Sequence, residues 1–355
     1  MFGNAKEWCW NATSDIEEFR YLNGGGWHEP SYRAGQADAT SAFDRSPQHG
    51  FRLATELDSD GTDAAAFAPL ARGVRDYTKT KPVSDETFEL YASLYNYDAG
   101  ELAATVEPVE AATDYWRREK AEINAAYDGE RMPVHLFFPT SGSPPWQVVI
   151  FFPGAGAFRL YPALTNLELV EALVRGGRAV AYPVYESSYE RAKGDNTELY
   201  RPNPGTVWRD HVIKVAKDVG RAIDYIEARP DLDANKIAYV GLSRGAALGL
   251  INLAIEKRFK AAALVIGGLW QDQVRPEVDQ INFCPRVTLP VLMVNGVYDF
   301  IFPVENSQRP MFEMLGTAPE HKKHVLLEGG HGLPRHEVVR ELSVWLDRYL
   351  GTPGG

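Results

Sequence analysis

The stretch Lys236-Ile237-Ala238-Tyr239-Val240-Gly241-Leu242-Ser243-Arg244-Gly245-Ala246-Ala247-Leu248-Gly249-Leu250-Ile251 decides how the rest of the chain is read. An apolar run leads into Gly241, and small, helix-compatible residues follow Gly245. The pattern predicts a strand, a sharp turn and a helix, with Ser243 at the apex. A serine on so tight a turn leaves no room for side chains two positions before or after it, and both of those positions are glycine. Such a turn pushes the hydroxyl into a cleft and aims the next backbone N–H, that of Arg244, at the same point. The chemistry served is acyl transfer through a serine ester. Five residues are a short pattern, and its weight comes from the strand before it and the helix after it.

Outward from this turn, apolar strands and amphipathic helices alternate. Strands are expected at 147–152, 178–183, 236–240, 261–266, 291–295 and 323–327, and helices near 163–175, 207–228, 244–256, 303–315 and 335–350. Upstream, 114–126 and 132–138 flank Asp128-Gly129-Glu130, a hairpin signal. Continuous Val, Ile and Phe runs between helices imply an α/β fold, a mostly parallel sheet with helices on both faces. Sites in such sheets form at the carboxyl ends of the strands. The loops after 152, 240, 295 and 327 should therefore ring one crevice.

A serine hydroxyl is nearly unreactive at neutral pH and needs a base, which in turn needs an orienting carboxylate. With a serine presented this way, the chain order is serine, acid, histidine. Asp299 follows the strand 291–295 through Gly296-Val297-Tyr298 and is the acid candidate; its bland reading is a turn or cap residue. Asp272 and Asp279 are its rivals. His331, in Glu328-Gly329-Gly330-His331-Gly332 just after the last strand, is the base candidate, with flanking glycines to let the loop approach the serine. His321, His324 and His336 read as surface or packing residues. Two N–H donors should receive an oxyanion. Arg244 can supply one through its backbone. Ala155 and Gly156, in Pro153-Gly154-Ala155-Gly156-Ala157 after strand 147–152, are candidates for the other. That loop lacks the glycine spacing and Lys-Ser/Thr of a nucleotide-binding loop.

Phe158, Arg159, Tyr185, Tyr189, Trp208 and Trp270 lie near loops expected to face the crevice, and an aromatic wall would suit acyl or aryl groups. Aromatics are 12% of the chain, so core packing accounts for many of them. The stretch 185–208 is a long polar insertion, a lid or rim candidate. For Arg159 and Arg244, receiving a substrate carboxylate and pairing with acidic neighbours are both open.

A net charge of −11 disfavours nucleic acid and anionic membrane as partners. The longest apolar runs are strand-sized, so no transmembrane helix is expected, and the opening Met1-Phe2-Gly3-Asn4-Ala5-Lys6-Glu7 does not read as a signal peptide. Cys9 and Cys284, far apart, read as two buried free thiols in a reducing, cytoplasmic setting. There the Asn11-Ala12-Thr13 sequon has no role. Residues 1–57 are irregular and rich in Gly, Trp and Arg. Asp58-Ser59-Asp60-Gly61-Thr62-Asp63 marks the start of a linker over 58–82, and 83–355 form the regular domain.

The ordered set Gly241-Leu242-Ser243-Arg244-Gly245, Asp299 and His331 resembles the α/β-hydrolase superfamily. The phrase Ala222-Ile223-Asp224-Tyr225-Ile226-Glu227-Ala228-Arg229-Pro230-Asp231 followed by Lys236 to Ser243 is similar to the dienelactone hydrolase and prolyl oligopeptidase branch, over about residues 83–352. The resemblance implies Ser243, Asp299 and His331 as a catalytic triad, with no metal or organic cofactor and a small-molecule ester as substrate. Dienelactone hydrolases proper use cysteine as nucleophile, and serine here favours ordinary ester hydrolysis. Nothing before residue 83 repeats like the gating propeller of the peptidases. Peptidase, thioesterase and non-catalytic binding roles remain the alternatives. Residues 1–57, through Gly3-Asn4-Ala5-Lys6-Glu7-Trp8, Leu22-Asn23-Gly24-Gly25-Gly26-Trp27 and Arg45-Ser46-Pro47-Gln48-His49-Gly50-Phe51-Arg52-Leu53, resemble the closing segments of the formylglycine-generating, sulfatase-modifying fold. The paired cysteines of its oxidising members are missing near Arg45-Ser46, so no oxidase activity is expected. The Asn4/Glu7 neighbourhood is similar to a calcium turn of that fold, and no bound ion is expected there. The appendage is expected to pack on the hydrolase or to mediate self-association through its Trp and Tyr residues.

Overall fold

The structure is a computed structural model and describes residues 4–12, 19–27, 38–53, 64–69, 75–77, 79–109, 113–158, 164–193, 199 and 201–353. The chain divides into two compact units, Met1–Arg75 and Asp76–Gly355.

In the first unit, β1 (Lys6–Ala12), β2 (Phe19–Asn23), β3 (Asp38–Ser41) and β4 (His49–Gly50) form one sheet in the order β3-β2-β1-β4. Phe19, Tyr21, Leu22 and Ala39 are buried within it. Residues 64–69 fall within the stretch read as linker, yet they fold onto β1. The Asn11 side-chain amide donates to the carbonyls of Ala66 and Ala68, at 2.8 and 3.0 Å. Glu7 accepts from the Arg52 Nε at 2.6 Å.

The second unit opens with α1 (Asp85–Ser93), whose first turn is capped by Ser84. Its sheet has nine strands, in the order β13-β12-β11-β10-β8-β9-β7-β6-β5. They are β5 (Thr105–Val109), β6 (Trp116–Asn124), β7 (Arg131–Pro139), β8 (Trp146–Phe152), β9 (Ala179–Pro183), β10 (Leu232–Leu242), β11 (Ala261–Val265), β12 (Val291–Gly296) and β13 (Lys322–Leu327). The strands from β9 to β13 across the sheet run parallel, and β6–β7 is the expected hairpin. β5 lies outside the expected strands. It is an exposed edge strand carrying Pro108, and without an apolar alternation it shows no strand pattern in sequence.

Helices α2 (Leu167–Arg175) and α7 (Arg335–Leu350) pack together on one face, and α3 (Thr206–Glu227) and α4 (Arg244–Ile255) on the other. The core lies between: β8 reads Val148 to Phe152 with no exposed side chain, and α3 buries Trp208, Val212, Val215, Val219, Ile223 and Ile226 along one stripe. Arg178 ties the end of α7 to the sheet, donating to Asp347 at 2.6 Å and to Gln147 at 3.0 Å. The helix expected over 303–315 divides instead into a π-turn, Val304–Gln308, and α6 (Arg309–Met314). Pro310 is the reason: it lacks an N–H and its ring would clash with the carbonyl four residues back, so no regular helix runs through it. A short helix, α5 (Gln280–Phe283), lies between β11 and β12 in the chain. Among the described residues no helix is long and apolar enough to cross a membrane. Both cysteines are free; Cys284 is buried, whereas Cys9 is only half-buried on a strand of the small first sheet.

Candidate active site

β10 ends at Leu242 and α4 begins at Arg244, so Ser243 alone makes the turn. Its φ of 53° and ψ of −110° lie where a residue with a side chain stays only if its surroundings hold it there. The glycines permit the geometry. A Cβ on Gly241 would lie 2.4 Å from the Gly245 carbonyl oxygen, and one on Gly245 would lie 2.3 Å from that of Phe152. Tyr239 braces the turn from within the core: its hydroxyl donates to the Gly245 carbonyl at 2.6 Å and accepts from Asn252 Nδ2 at 3.2 Å.

Three candidates converge. Ser243 Oγ lies 2.8 Å from His331 Nε2, and His331 Nδ1 lies 2.8 Å from Asp299 Oδ2. The Asp299 side chain is fully buried. Its other oxygen accepts from the backbone N–H groups of Ile301 and Phe302, at 2.9 and 3.1 Å. With both carboxylate oxygens accepting, Nδ1 of His331 is the donor, and Nε2 is left to accept from the serine hydroxyl. The space that brings the His331 loop in is under the strand end. A Cβ on Gly296 would lie 2.3 Å from the carbonyl oxygens of both Gly329 and Gly330. Gly332, expected to matter as a flanking residue, meets nothing within 4 Å, because it faces open space. Of the rival acids, Asp272 is exposed and Asp279 caps α5 through Ile281 N. His324 contacts Asn295, His321 contacts Tyr349 and His336 is exposed.

Ala155 and Gly156 open a 3-10 turn, Ala155–Phe158, directly after β8. The leading N–H groups of such a turn have no acceptor within it. Gly154 sits against Ser243, its would-be Cβ 3.6 Å from the Ser243 Cβ. Arg244 contributes the first N–H of α4. The backbone groups expected to receive an oxyanion thus lie on the two elements that adjoin Ser243.

The expected aromatic wall is arranged differently. Phe158, Tyr185 and Trp208 are all buried. Tyr185 stacks on Phe152 at 4.0 Å and donates its hydroxyl to the Phe151 carbonyl, which makes it a core residue beneath the site. Phe158 and Trp208 enclose the guanidinium of Arg244, 4.1 and 4.9 Å from their ring centres. Trp270 alone of the four is partly exposed. Its ring lies 5.0 Å from Phe302, whose ring lies 5.9 Å from the His331 imidazole. Arg159 lies outside the described residues. Tyr189 joins Tyr182 and Thr165 in a hydroxyl cluster, each contact 2.7 Å.

Several supporting residues had no motif to mark them. Gln280 accepts from Trp270 N at 2.7 Å and donates to the Ala247 carbonyl at 2.6 Å, tying the Trp270 loop to α4. Gln308 donates to the carbonyls of Gly296 and Phe302, at 3.1 and 2.6 Å. Arg244 Nη2 lies 2.6 Å from His211 Nε2, and His211 Nδ1 hydrogen-bonds to the Glu186 carboxylate. Burial pushes His211 down to about 4, against the pull of Glu186 and with the Arg244 charge acting in the same direction. Burial opposes the Glu186 charge, but its hydrogen bonds from His211 and Ser187 outweigh that and hold it at about 2. The only sequence sign of His211 was its place on the buried stripe of α3, one turn after Trp208. Among the described residues no three His, Cys, Asp or Glu side chains group to hold a metal ion.

The chain is similar in structure to several solved esterases. It superposes on an acetyl xylan esterase from Paenibacillus sp. R4 with a TM-score of 0.58 and 20% identity, over 77% of this chain and 98% of that one. Acetyl xylan esterase 1 from Thermoanaerobacterium sp. JW/SL YS485 gives 0.59 and 15%, over 77% and 96%. A cold-adapted esterase from an Arctic intertidal metagenomic library gives 0.54 and 20%, over 72% and 99%. At these identities the likeness is one of fold. No curated protein matches the chain. The model of the dienelactone hydrolase family matches residues 132–337, a span that holds β8, the Ser243 turn, Asp299 and His331. On that match and the α/β-hydrolase fold around it, the chain belongs to the dienelactone hydrolase family.

Proposed function

We propose that the chain is a serine carboxylesterase acting on small-molecule esters with short acyl or aryl groups. The observation that carries this reading is the unbroken hydrogen-bond path that starts on the strained turn at Ser243 and runs through His331 to a buried Asp299. His331 Nε2 takes the Ser243 proton as Oγ bonds to the ester carbonyl carbon. The backbone N–H of Arg244, with those of Ala155 and Gly156, receives the oxyanion. Collapse breaks the bond to the alcohol oxygen, which leaves with the proton from His331. Water then attacks the acyl-enzyme with His331 as base. The acid departs, and the proton returns to Ser243. Asp299 keeps His331 in the required tautomer and stabilises its cation. These steps call on no metal or organic cofactor.

A short acyl group is supported by where the aromatics stand. Phe158, Tyr185 and Trp208 are taken up in packing, and Phe302, which lies against the imidazole, is buried as well, so Trp270 alone of these rings is left partly exposed near His331. The neighbours named as acetyl xylan esterases are consistent with that size. For residues 1–57 we keep the reading of a partial formylglycine-generating fold that serves self-association, supported by the Arg45-Ser46-Pro47-Gln48-His49 phrase. Two free cysteines in separate units suit a reducing, cytoplasmic compartment.

The test is covalent labelling with a fluorophosphonate probe, alongside turnover of nitrophenyl esters of increasing acyl length, aminoacyl amides and thioesters. Wild type is expected to label stoichiometrically and to turn over acetyl and other short esters best. Ser243→Ala should stay folded and lose labelling. Full labelling of that variant would reassign the nucleophile. Preference for amides or thioesters would move the reading to a peptidase or a thioesterase.

A further inference from the structure

The residue after the nucleophile carries a buried charge that the reaction, as written above, does not use. Arg244 is 1% exposed. Its guanidinium lies between the rings of Phe158 and Trp208, bonds to His211 Nε2 and donates to the Leu199 carbonyl. His211 packs edge-on against Phe158 at 5.4 Å and lies tilted against Trp208 at 5.9 Å. Because an arginine side chain has no acceptor, Nε2 of His211 must accept from it. The ring proton then sits on Nδ1 and is donated to Glu186. Glu186 is fixed in turn: its backbone N–H donates to Asp218 at 2.7 Å, and its carboxylate accepts from Ser187 Oγ at 2.7 Å. Arginine, a neutral histidine and a carboxylate form one chain across α4, α3 and the loop after β9.

Burying a guanidinium is costly, and an apolar side chain of similar volume would fill the space between two aromatic rings as well. What arginine adds is a planar fork with fixed directions. Two observations say what the fork holds. Arg244 is the first residue of α4, and its own N–H is an oxyanion donor in the proposed mechanism. Phe158, against which the guanidinium lies, is the last residue of the 3-10 turn that begins with the other two donors, Ala155 and Gly156. One side chain therefore touches both walls of the oxyanion site. The conformation it braces, at Ser243, is strained and would relax if unheld.

We infer that the Arg244 side chain is a positioning residue that sets the spacing between the α4 and β8-loop oxyanion donors, and that His211 and Glu186 hold it in place. This rests on the esterase reading but fails separately from it. It also assigns the side chain to the scaffold, away from the substrate carboxylate.

The test uses Arg244→Lys, Arg244→Met, His211→Gln and His211→Leu in the full chain. It measures kcat and KM on nitrophenyl acetate, inhibition by a trifluoromethyl ketone that places an oxyanion in the site, and inhibition by the alcohol product. Lysine keeps the charge and loses the fork, so both Arg244 variants should lose about 30- to 100-fold in kcat with KM within about twofold. Ketone affinity should fall by the same factor as kcat/KM, and product affinity should hold. His211→Gln keeps an acceptor for Nη2 and should stay within about threefold of wild type. His211→Leu leaves Nη2 without one and should lose about tenfold or more in kcat. A folded Arg244→Met with kcat near wild type overturns the inference, as does a loss confined to KM. If Arg244→Met does not fold, the contrast between the two His211 variants decides: equal activity overturns it. Failure of the esterase reading looks different, since wild type itself would then show no Ser243-dependent labelling.

Discussion

Asp299 gives one carboxylate oxygen to the backbone N–H groups of Ile301 and Phe302 and the other to His331. That division makes an amide at this position a sharp probe. In Asp299→Asn the amide oxygen would keep the two backbone donors, and its NH2 would face His331 Nδ1. The imidazole proton would then move to Nε2, which could no longer accept from Ser243. We expect kcat to fall by about 10³- to 10⁴-fold with the thermal midpoint nearly unchanged. Steady-state kinetics with calorimetry checks both, and a loss under tenfold would mean that His331 takes its orientation from elsewhere. At this scale the residues legible in sequence were those standing directly after a strand. His211, Glu186 and Tyr239 were not legible, because each gains its meaning from a partner on another element.

The strand-turn-helix unit around Ser243 was the most legible element. Its glycines answer to a steric demand that is local and backbone-borne, so composition alone reports it. Gly245→Ala would set a Cβ 2.3 Å from the Phe152 carbonyl oxygen, a clash that no rotamer relieves. It should cost about 3 kcal/mol or more and displace β8 from α4. Gly332→Ala, with nothing within 4 Å, should change stability by about 0.5 kcal/mol or less. Urea unfolding of the two variants measures the contrast, and similar losses would remove the packing explanation. Helix α7 follows its apolar period closely, whereas the segment after Asp299 does not. There Pro310 and the bonds from Gln308 to Gly296 and Phe302 impose a π-turn on a helical pattern.

Across the whole molecule, burial of titratable groups couples folding to pH. His211 and His324 are each pushed down to about 4 inside the protein, from an ordinary value near 6.5. The unfolded chain therefore binds more protons between those values, and stability rises with pH across that window. The contribution of each is complete above about pH 6.5 and is lost as the pH falls towards 4. For His211 the loss is about 3 kcal/mol at most. Asp218, pushed up to about 6 by burial against its ion pair with Arg191, acts in the opposite direction. The wild-type curve is thus a sum of opposed effects, and the informative quantity is a difference. His211→Gln should reduce the drop in urea midpoint between pH 7 and pH 4.5; an unchanged slope would show that His211 is protonated in the folded protein.

The order of strands and helices, the glycine-flanked turn at Ser243 and the chain order of Ser243, Asp299 and His331, each beyond a strand end, were determined by the sequence alone. Each depends on local backbone geometry or on the period of apolar residues, and both are written along the chain. Tertiary structure alone decided which of the candidate aromatics are buried and that Trp270 stays partly exposed. It also decided that the buried Arg244 guanidinium meets His211, which in turn meets Glu186, and that the edge strand β5 pairs at all. Those outcomes turn on contacts between segments far apart in the chain, where burial and the geometry of the partner, and not the residue's own chemistry, select among its roles.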